Sequence, residues 1–183
     1  MKNLYLEVLK DWSIKDIELI NNEAFESYEK MPIKLLKGLC KRDDVDTFLI
    51  KENNRIIGFC TIAWNKDMLY VIFFAIKDML RNKGYGKEVL KLLKKKQKEL
   101  CSNGMIILDC HEPNSTINKR RLNFYKRNGF NEIRKKTITE DANYIWLYYG
   151  DMSQKSAKKI FNKNYDYLFD KNIWLILPKI EDY

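Results

Sequence analysis

Glycine and proline are scarce, 7 and 3 among 183 residues, which excludes a collagen-like or flexible-linker chain. Long hydrophobic runs are missing too: the apolar stretch Leu69–Ile76 falls far short of the roughly 20 residues a helix needs to cross a bilayer. Glu7 and Asp11 stand where a secretory signal would need apolar residues, so the expectation is a cytoplasmic protein with no membrane partner. There is a single histidine, His111, and the four cysteines at 40, 60, 101 and 110 form no CxxC pair. That inventory points away from zinc, and no metal is expected. Cys60 and Cys110 lie in strand-like apolar runs and read as small buried hydrophobes. Cys110 adjoins His111, but neighbours on a strand point to opposite faces, so the two cannot pair as nucleophile and base.

What the chain does have is apolar residues enough for a core, 45%, with 11 Tyr, 9 Phe and 4 Trp. Its net charge of +9 is localised. Residues 81–98 hold eight Lys/Arg against one Glu, residues 115–136 hold eight against one, and the remaining residues sum to −5. Such clustering fits either a polyanionic ligand, such as a phosphorylated cofactor or nucleic acid, or lysine-rich solvated helix faces.

Along the chain, residues 2–9 alternate as a half-buried strand, and Ser13 with Asp16 opens a helix through Ile14, Ile17, Ile20 and Ala24. Pro32 suits the first turn of a short helix, PIKLLKGLCK, after an acidic connection holding Glu23, Glu26 and Glu29 with Phe25 and Tyr28. DTFLIKE and RIIGFCTIAW flank Asn53-Asn54 as a hairpin. LYVIFFAI, apolar on both faces, is a central strand. Val89, Leu90, Leu93 and Leu100 mark an amphipathic helix, MIILDCH another buried strand, and NKRRLNFYKRN a helix closed by Gly129. FNEIRKKTI and NYIWLYYG form a pair joined at TEDA, followed by a helix over QKSAKKIF and an extended segment, NIWLILP. With no repeat or linker, the expectation is one mixed α/β domain.

Arg81, Asn82, Lys83, Gly84, Tyr85 and Gly86 sit between a central strand and a basic helix. A helix start offers unpaired N–H groups and partial positive charge, and glycines let a phosphate approach the backbone. The spelling is neither a P-loop nor a dinucleotide GxGxxG, since position 89 is Val. With the element order and FYKRNGF some forty residues later, this RxxGxG segment resembles the GNAT family of acetyl-CoA-dependent N-acetyltransferases over roughly residues 1–150. The resemblance implies a central, mostly antiparallel sheet with helices on both faces. Beyond it, with no linker visible, the helix and tail of residues 151–183 are expected to pack on the same domain.

It implies a site as well. Backbone amides of Arg81 to Gly86, with Lys87, would bind the diphosphate of acetyl-CoA, and the backbone of Phe74, Ala75 and Ile76 would pair with the pantetheine arm. Asn118 and Tyr125 match the family's N-x-x-A-x-x-x-Y helix, two turns apart on one face, with Arg121 where the family has alanine. By resemblance Tyr125 is the general acid that protonates the departing thiolate, and a backbone N–H near Ile76 polarises the thioester carbonyl. Glu112 is the candidate general base, with Asp109 and Glu29 behind it. Glu29 with Pro32, and Glu112 with Pro113, further resemble small bacterial members. Glu26, Tyr28 and Glu29 are expected to receive a cationic amine.

The expected function is acetyl transfer to the primary amine of a small molecule or peptide, by direct attack in a ternary complex, with no nucleic-acid partner. A non-catalytic acyl-CoA sensor and a basic nucleic-acid-binding module are the rival readings. Phe73 and Phe74 favour acetyl over longer acyl groups. NIWLILP could cover the domain's own sheet or that of a second copy in a homodimer.

Overall fold

A computed structural model describes residues 3–10, 15–25, 30, 32–138, 143–164 and 179–182. The elements run β1 (Leu4–Val8), α1 (Lys15–Ala24), α2 (Ile33–Leu39), β2 (Val45–Glu52), β3 (Arg55–Trp64), β4 (Met68–Ile76), α3 (Tyr85–Leu100), β5 (Met105–His111), α4 (Thr116–Arg127), β6 (Asn131–Ile138), β7 (Asn143–Tyr149), α5 (Gln154–Lys163) and β8 (Lys179–Asp182). A single 3-10 turn, Asp78–Leu80, separates β4 from α3. The architecture is mixed α/β with mostly antiparallel strand pairing. Two compact units form, residues 1–65 with 71–100, and residues 66–70 with 101–183.

In the first unit the strand order is β1-β2-β3-β4. The Asn53-Asn54 turn takes positive φ at both residues, 46° and 67°, the geometry that matches the twist of a tight hairpin. Alternation on the strands then sorts the side chains by face. Leu49, Phe59, Phe73 and Ala75 form one core with Ile17 and Ile20 of α1 and Leu36 of α2, and Phe25 sets its ring edge-on to Phe73 at 5.3 Å. Ile20 and Leu36 are sealed completely, each such side chain contributing about 1.5–3 kcal/mol relative to exposure. α3 buries Val89, Leu90 and Leu93 and carries Lys96 over the Phe48 ring, so it covers the opposite face.

In the second unit the order is the start of β4, then β5, β7, β6 and β8. Met68–Tyr70 pair in parallel with Met105–Ile107, a pairing that demands a long crossover, and α3 supplies it. β5 and β7 run antiparallel from Ile106↔Tyr149 to His111↔Tyr144. Trp146 is fully buried, donates its indole N–H to Thr137 Oγ1 at 2.8 Å and packs against Phe161 of α5. Ser153 caps α5, accepting from the Ser156 amide, and Ala157 and Phe161 are the face it buries. Cys60 and Cys110 are buried as expected, and burial pushes both thiols up to about 12.

Candidate active site

In the first unit, β4 ends in a staked turn. Lys77 still pairs with β3 through its amide, and Leu80 and Arg81 close back on Lys77 and Asp78. Asn82 and Gly84 then adopt left-handed φ, 60° and 82°, a conformation asparagine tolerates and glycine takes freely. α3 begins at the next residue, Tyr85. No described residue accepts a hydrogen bond from the amides of Asn82, Gly84 or Gly86. A helix mouth with unengaged donors and local positive potential suits a diphosphate, so this chain's own backbone fits the group that the sequence implied.

The Arg81 side chain is engaged in the turn. Its Nε donates to the Ile76 carbonyl at 3.2 Å, one Nη to the Glu23 carbonyl at 3.2 Å, and the other pairs with Asp78 at 2.7 Å. Glu23 Oε2 in turn accepts from the Asp78 amide, and Lys77 pairs with Asp16. The guanidinium thus ties the end of β4, the end of α1 and the cradle together. Nothing in residue spacing signalled Glu23, whose contacts depend on how α1 packs, whereas Asp78 stands three residues before Arg81 as a local i, i+3 partner. Phe74 is half-buried, Ala75 and Ile76 are buried, and Lys87 is exposed. Beside β3, the backbone of Phe74–Ile76 has no other ladder partner among the described residues.

In the second unit, Ser115 caps α4 by accepting from the Asn118 amide, and the Asn118 side chain donates to Asn114 Oδ1 at 2.9 Å. Seven residues on, Tyr125 is buried with Leu122. The helix stops at Asn128, and Gly129 with φ 85° turns the chain so that the Phe130 amide meets the Tyr125 carbonyl. Phe130 then packs edge-on to the Tyr125 ring at 5.6 Å, which is the physical content of the FYKRNGF spelling. Burial pushes the Tyr125 phenol up, and the Arg121 charge acts the other way. That phenol stays protonated at neutral pH, and no described residue hydrogen-bonds its hydroxyl.

The two carboxylates at the end of β5 differ. Glu112 pairs with Lys136 and accepts from Asn143 Nδ2 at 3.2 Å, and the Lys136 contact holds it below the usual range. It is ionised throughout the neutral range and is a weaker proton acceptor than an ordinary glutamate. Asp109 accepts from the buried Tyr70 hydroxyl at 2.9 Å. Burial, then the Asp109 charge, raises the Tyr70 phenol well above its ordinary value, which keeps it a donor. Glu26, Tyr28 and Glu29, the expected acceptor residues, lie outside the described residues. So does the extended segment NIWLILP. Among the described residues no group of three or more His, Cys, Asp or Glu could hold a metal ion, and no helix is long and apolar enough to cross a membrane.

Comparison with known proteins gives a consistent result. The model of the acetyltransferase (GNAT) family matches residues 8–130. No curated protein matches the chain in sequence. Among solved structures, a protein from Bacteroides thetaiotaomicron described as a GNAT-family acetyltransferase superposes with a TM-score of 0.73 at 24% identity, over 90% of this chain and 98% of that one. The ribosomal-protein-S18-alanine N-acetyltransferase of Escherichia coli gives 0.65 at 14% identity, over 82% and 96%. A GNAT-family acetyltransferase from Elizabethkingia anophelis with acetyl-CoA bound gives 0.58 at 20% identity, over 82% and 99%.

Proposed function

The chain belongs to the GNAT family of acetyltransferases, and from that premise we propose that it transfers an acetyl group from acetyl-CoA to a primary amine by direct attack in a ternary complex. The observation that carries the reading is the cradle of Asn82, Gly84 and Gly86, whose amides are turned to no described acceptor at the mouth of α3. Bound acetyl-CoA supplies the activated thioester carbonyl. The amides of Asn82, Gly84 and Gly86 and the charge of Lys87 hold its diphosphate, while the Arg81 amide is already bonded to the Asp78 carbonyl. Phe74–Ile76 add its pantetheine arm as an extra strand through the β4 edge.

Tyr125 gives its phenolic proton to the departing sulfur. Its raised pKa keeps that proton in place until charge develops on the leaving group. Glu112, ionised and paired with Lys136, takes the ammonium proton through a water, a relay that does not require direct contact. Asp109 is the alternative acceptor, with Tyr70 as its fixed donor. An amine acceptor also fits the acidic connection Glu26, Tyr28 and Glu29.

The kind of acceptor is the open choice within this reading, a small amine or a peptide amine. The peptide form has the precedent of the Escherichia coli neighbour, which acts on the alanine of ribosomal protein S18. Thermal-shift measurement with acetyl-CoA should raise the midpoint, because a ligand bound only by the native state stabilises it. An amine and peptide panel read by release of free thiol should then show turnover. Stabilisation without thiol release from any amine would favour the sensor reading instead, and no stabilisation would reject the assignment.

A further inference from the structure

The residue between the two cradle glycines is Tyr85, the first residue of α3, and its hydroxyl donates to Glu52 Oε2 at 2.7 Å. Glu52 is the last residue of β2, directly before the Asn53-Asn54 turn. That turn is itself anchored, because Asn54 Oδ1 accepts from the Tyr5 hydroxyl of β1 at 2.6 Å, and Lys51 pairs with Glu7 at 2.6 Å. A chain of contacts therefore runs from β1 through the hairpin tip to the first turn of α3, all within one compact unit. The partnership joins residues 33 apart in sequence, and neither the RxxGxG spelling nor the hairpin pattern calls for it.

We propose that Tyr85 and Glu52 form a latch that sets the cradle for its anionic ligand: the phenol fixes the start of α3 against the β2–β3 hairpin and screens a carboxylate standing beside the diphosphate site. The proposal rests on the reading of residues 81–87 as the acetyl-CoA site. Tyr85 is a positioning residue, and Glu52 is the charge it covers. A bare carboxylate near a group carrying at least two negative charges would oppose binding. A carboxylate whose oxygen accepts a phenolic hydrogen has part of that charge drawn away. The raised Tyr85 phenol agrees, its first cause being the Glu52 hydrogen bond, with the Arg55 charge pulling the other way.

The test is calorimetric titration of the unliganded protein with acetyl-CoA, using Tyr85→Phe, Glu52→Gln and the double variant, with steady-state KM values for acetyl-CoA and for an amine found in the acceptor panel. Tyr85→Phe should raise the acetyl-CoA Kd about two- to tenfold, the scale of one hydrogen bond, with the amine KM unchanged. Glu52→Gln keeps an acceptor for the phenol and should bind acetyl-CoA at least as tightly as wild type. The double variant cannot re-form a hydrogen bond, so recovery of affinity over Tyr85→Phe alone reports the charge and not the scaffold. Wild-type affinity in Tyr85→Phe, weaker binding in Glu52→Gln, or no recovery in the double variant overturns the latch. Failure of the wild type itself to bind acetyl-CoA overturns the functional reading and the latch with it.

Discussion

Adding one methyl group at Gly58 should damage this protein severely, while the same addition at Gly38 should help it. Gly58 lies in β3 opposite the end of β4, and a Cβ built there would stand 2.2 Å from the Ala75 carbonyl oxygen and 3.2 Å from its carbonyl carbon. Both are backbone atoms, so no rotamer change relieves the clash, and β3 and β4 must separate. Overpacking costs typically 1–3 kcal/mol, and with backbone as the obstacle Gly58→Ala belongs at about 3 kcal/mol. At ~2–4 °C per kcal/mol for a chain of this size, the melting midpoint should fall by about 6–12 °C. The displaced strand is the one whose Phe74–Ile76 backbone is proposed to pair with the pantetheine arm, so the acetyl-CoA KM should rise with it.

At Gly38, in α2, an added Cβ would meet nothing within 4 Å, and glycine inside a helix is destabilising by roughly 0.5–1 kcal/mol relative to alanine. Gly38→Ala should therefore raise the midpoint. Calorimetric melting of both variants beside wild type decides the matter. A Gly58→Ala protein within about 0.5 kcal/mol of wild type would show that the β3–β4 approach leaves room for a methyl group and would refute the argument.

Tyr125→Phe should lower kcat by about 10²-fold, the low end of general acid–base contributions, while the acetyl-CoA Kd stays near wild type; equal loss in both would make Tyr125 a packing residue. Because Lys136 holds the Glu112 pKa down, Glu112 is ionised above its folded value and loses activity only as pH falls through it; Lys136→Met should move the acid limb of the kcat/KM profile to higher pH, and an unmoved limb would transfer the base role away from Glu112. Cys60 and Cys110, with thiols pushed up to about 12, should resist alkylation at pH 8 in the native protein and react on denaturation, measured by mass spectrometry.

The elements that sequence periodicity revealed are those whose pattern is enforced by one buried face. The Val89, Leu90, Leu93 stripe became α3, the two-sided apolar run became β4, and Asn53-Asn54 turned where positive φ was needed. What escaped was set by pairing and not by local preference. β8 forms through its ladder with β6, from Lys135↔Asp182 to Ile138↔Lys179. The bulge in β6, where Arg134 takes φ 58° between register-shifted Glu132 and Lys136, has no glycine to announce it. The cradle was legible because glycine and helix start are consecutive in sequence. Two of its braces were not: Glu23, through its carbonyl, reaches Arg81 and Glu52 reaches Tyr85 across elements far apart in the chain, whereas Asp78 is a local i, i+3 partner of Arg81. Likewise the Glu112 carboxylate was found by position after a strand, whereas Lys136, which sets its acidity, arrives from β6.

The parallel pairing of Met68–Tyr70 with Met105–Ile107 bears on how this chain assembles as it leaves the ribosome. The five residues 66–70 belong to a unit whose other members begin at Cys101, so during synthesis they emerge more than thirty positions before their mates. A nascent chain stopped at Leu100 carries every strand of the first unit yet leaves the β5-facing edge at the beginning of β4 sticky and unmated. Contacts this distant in sequence form late and slow the search. Fragments ending near residue 100 should therefore clump, and the segment from Cys101 onward, expressed without its borrowed strand, should fare no better.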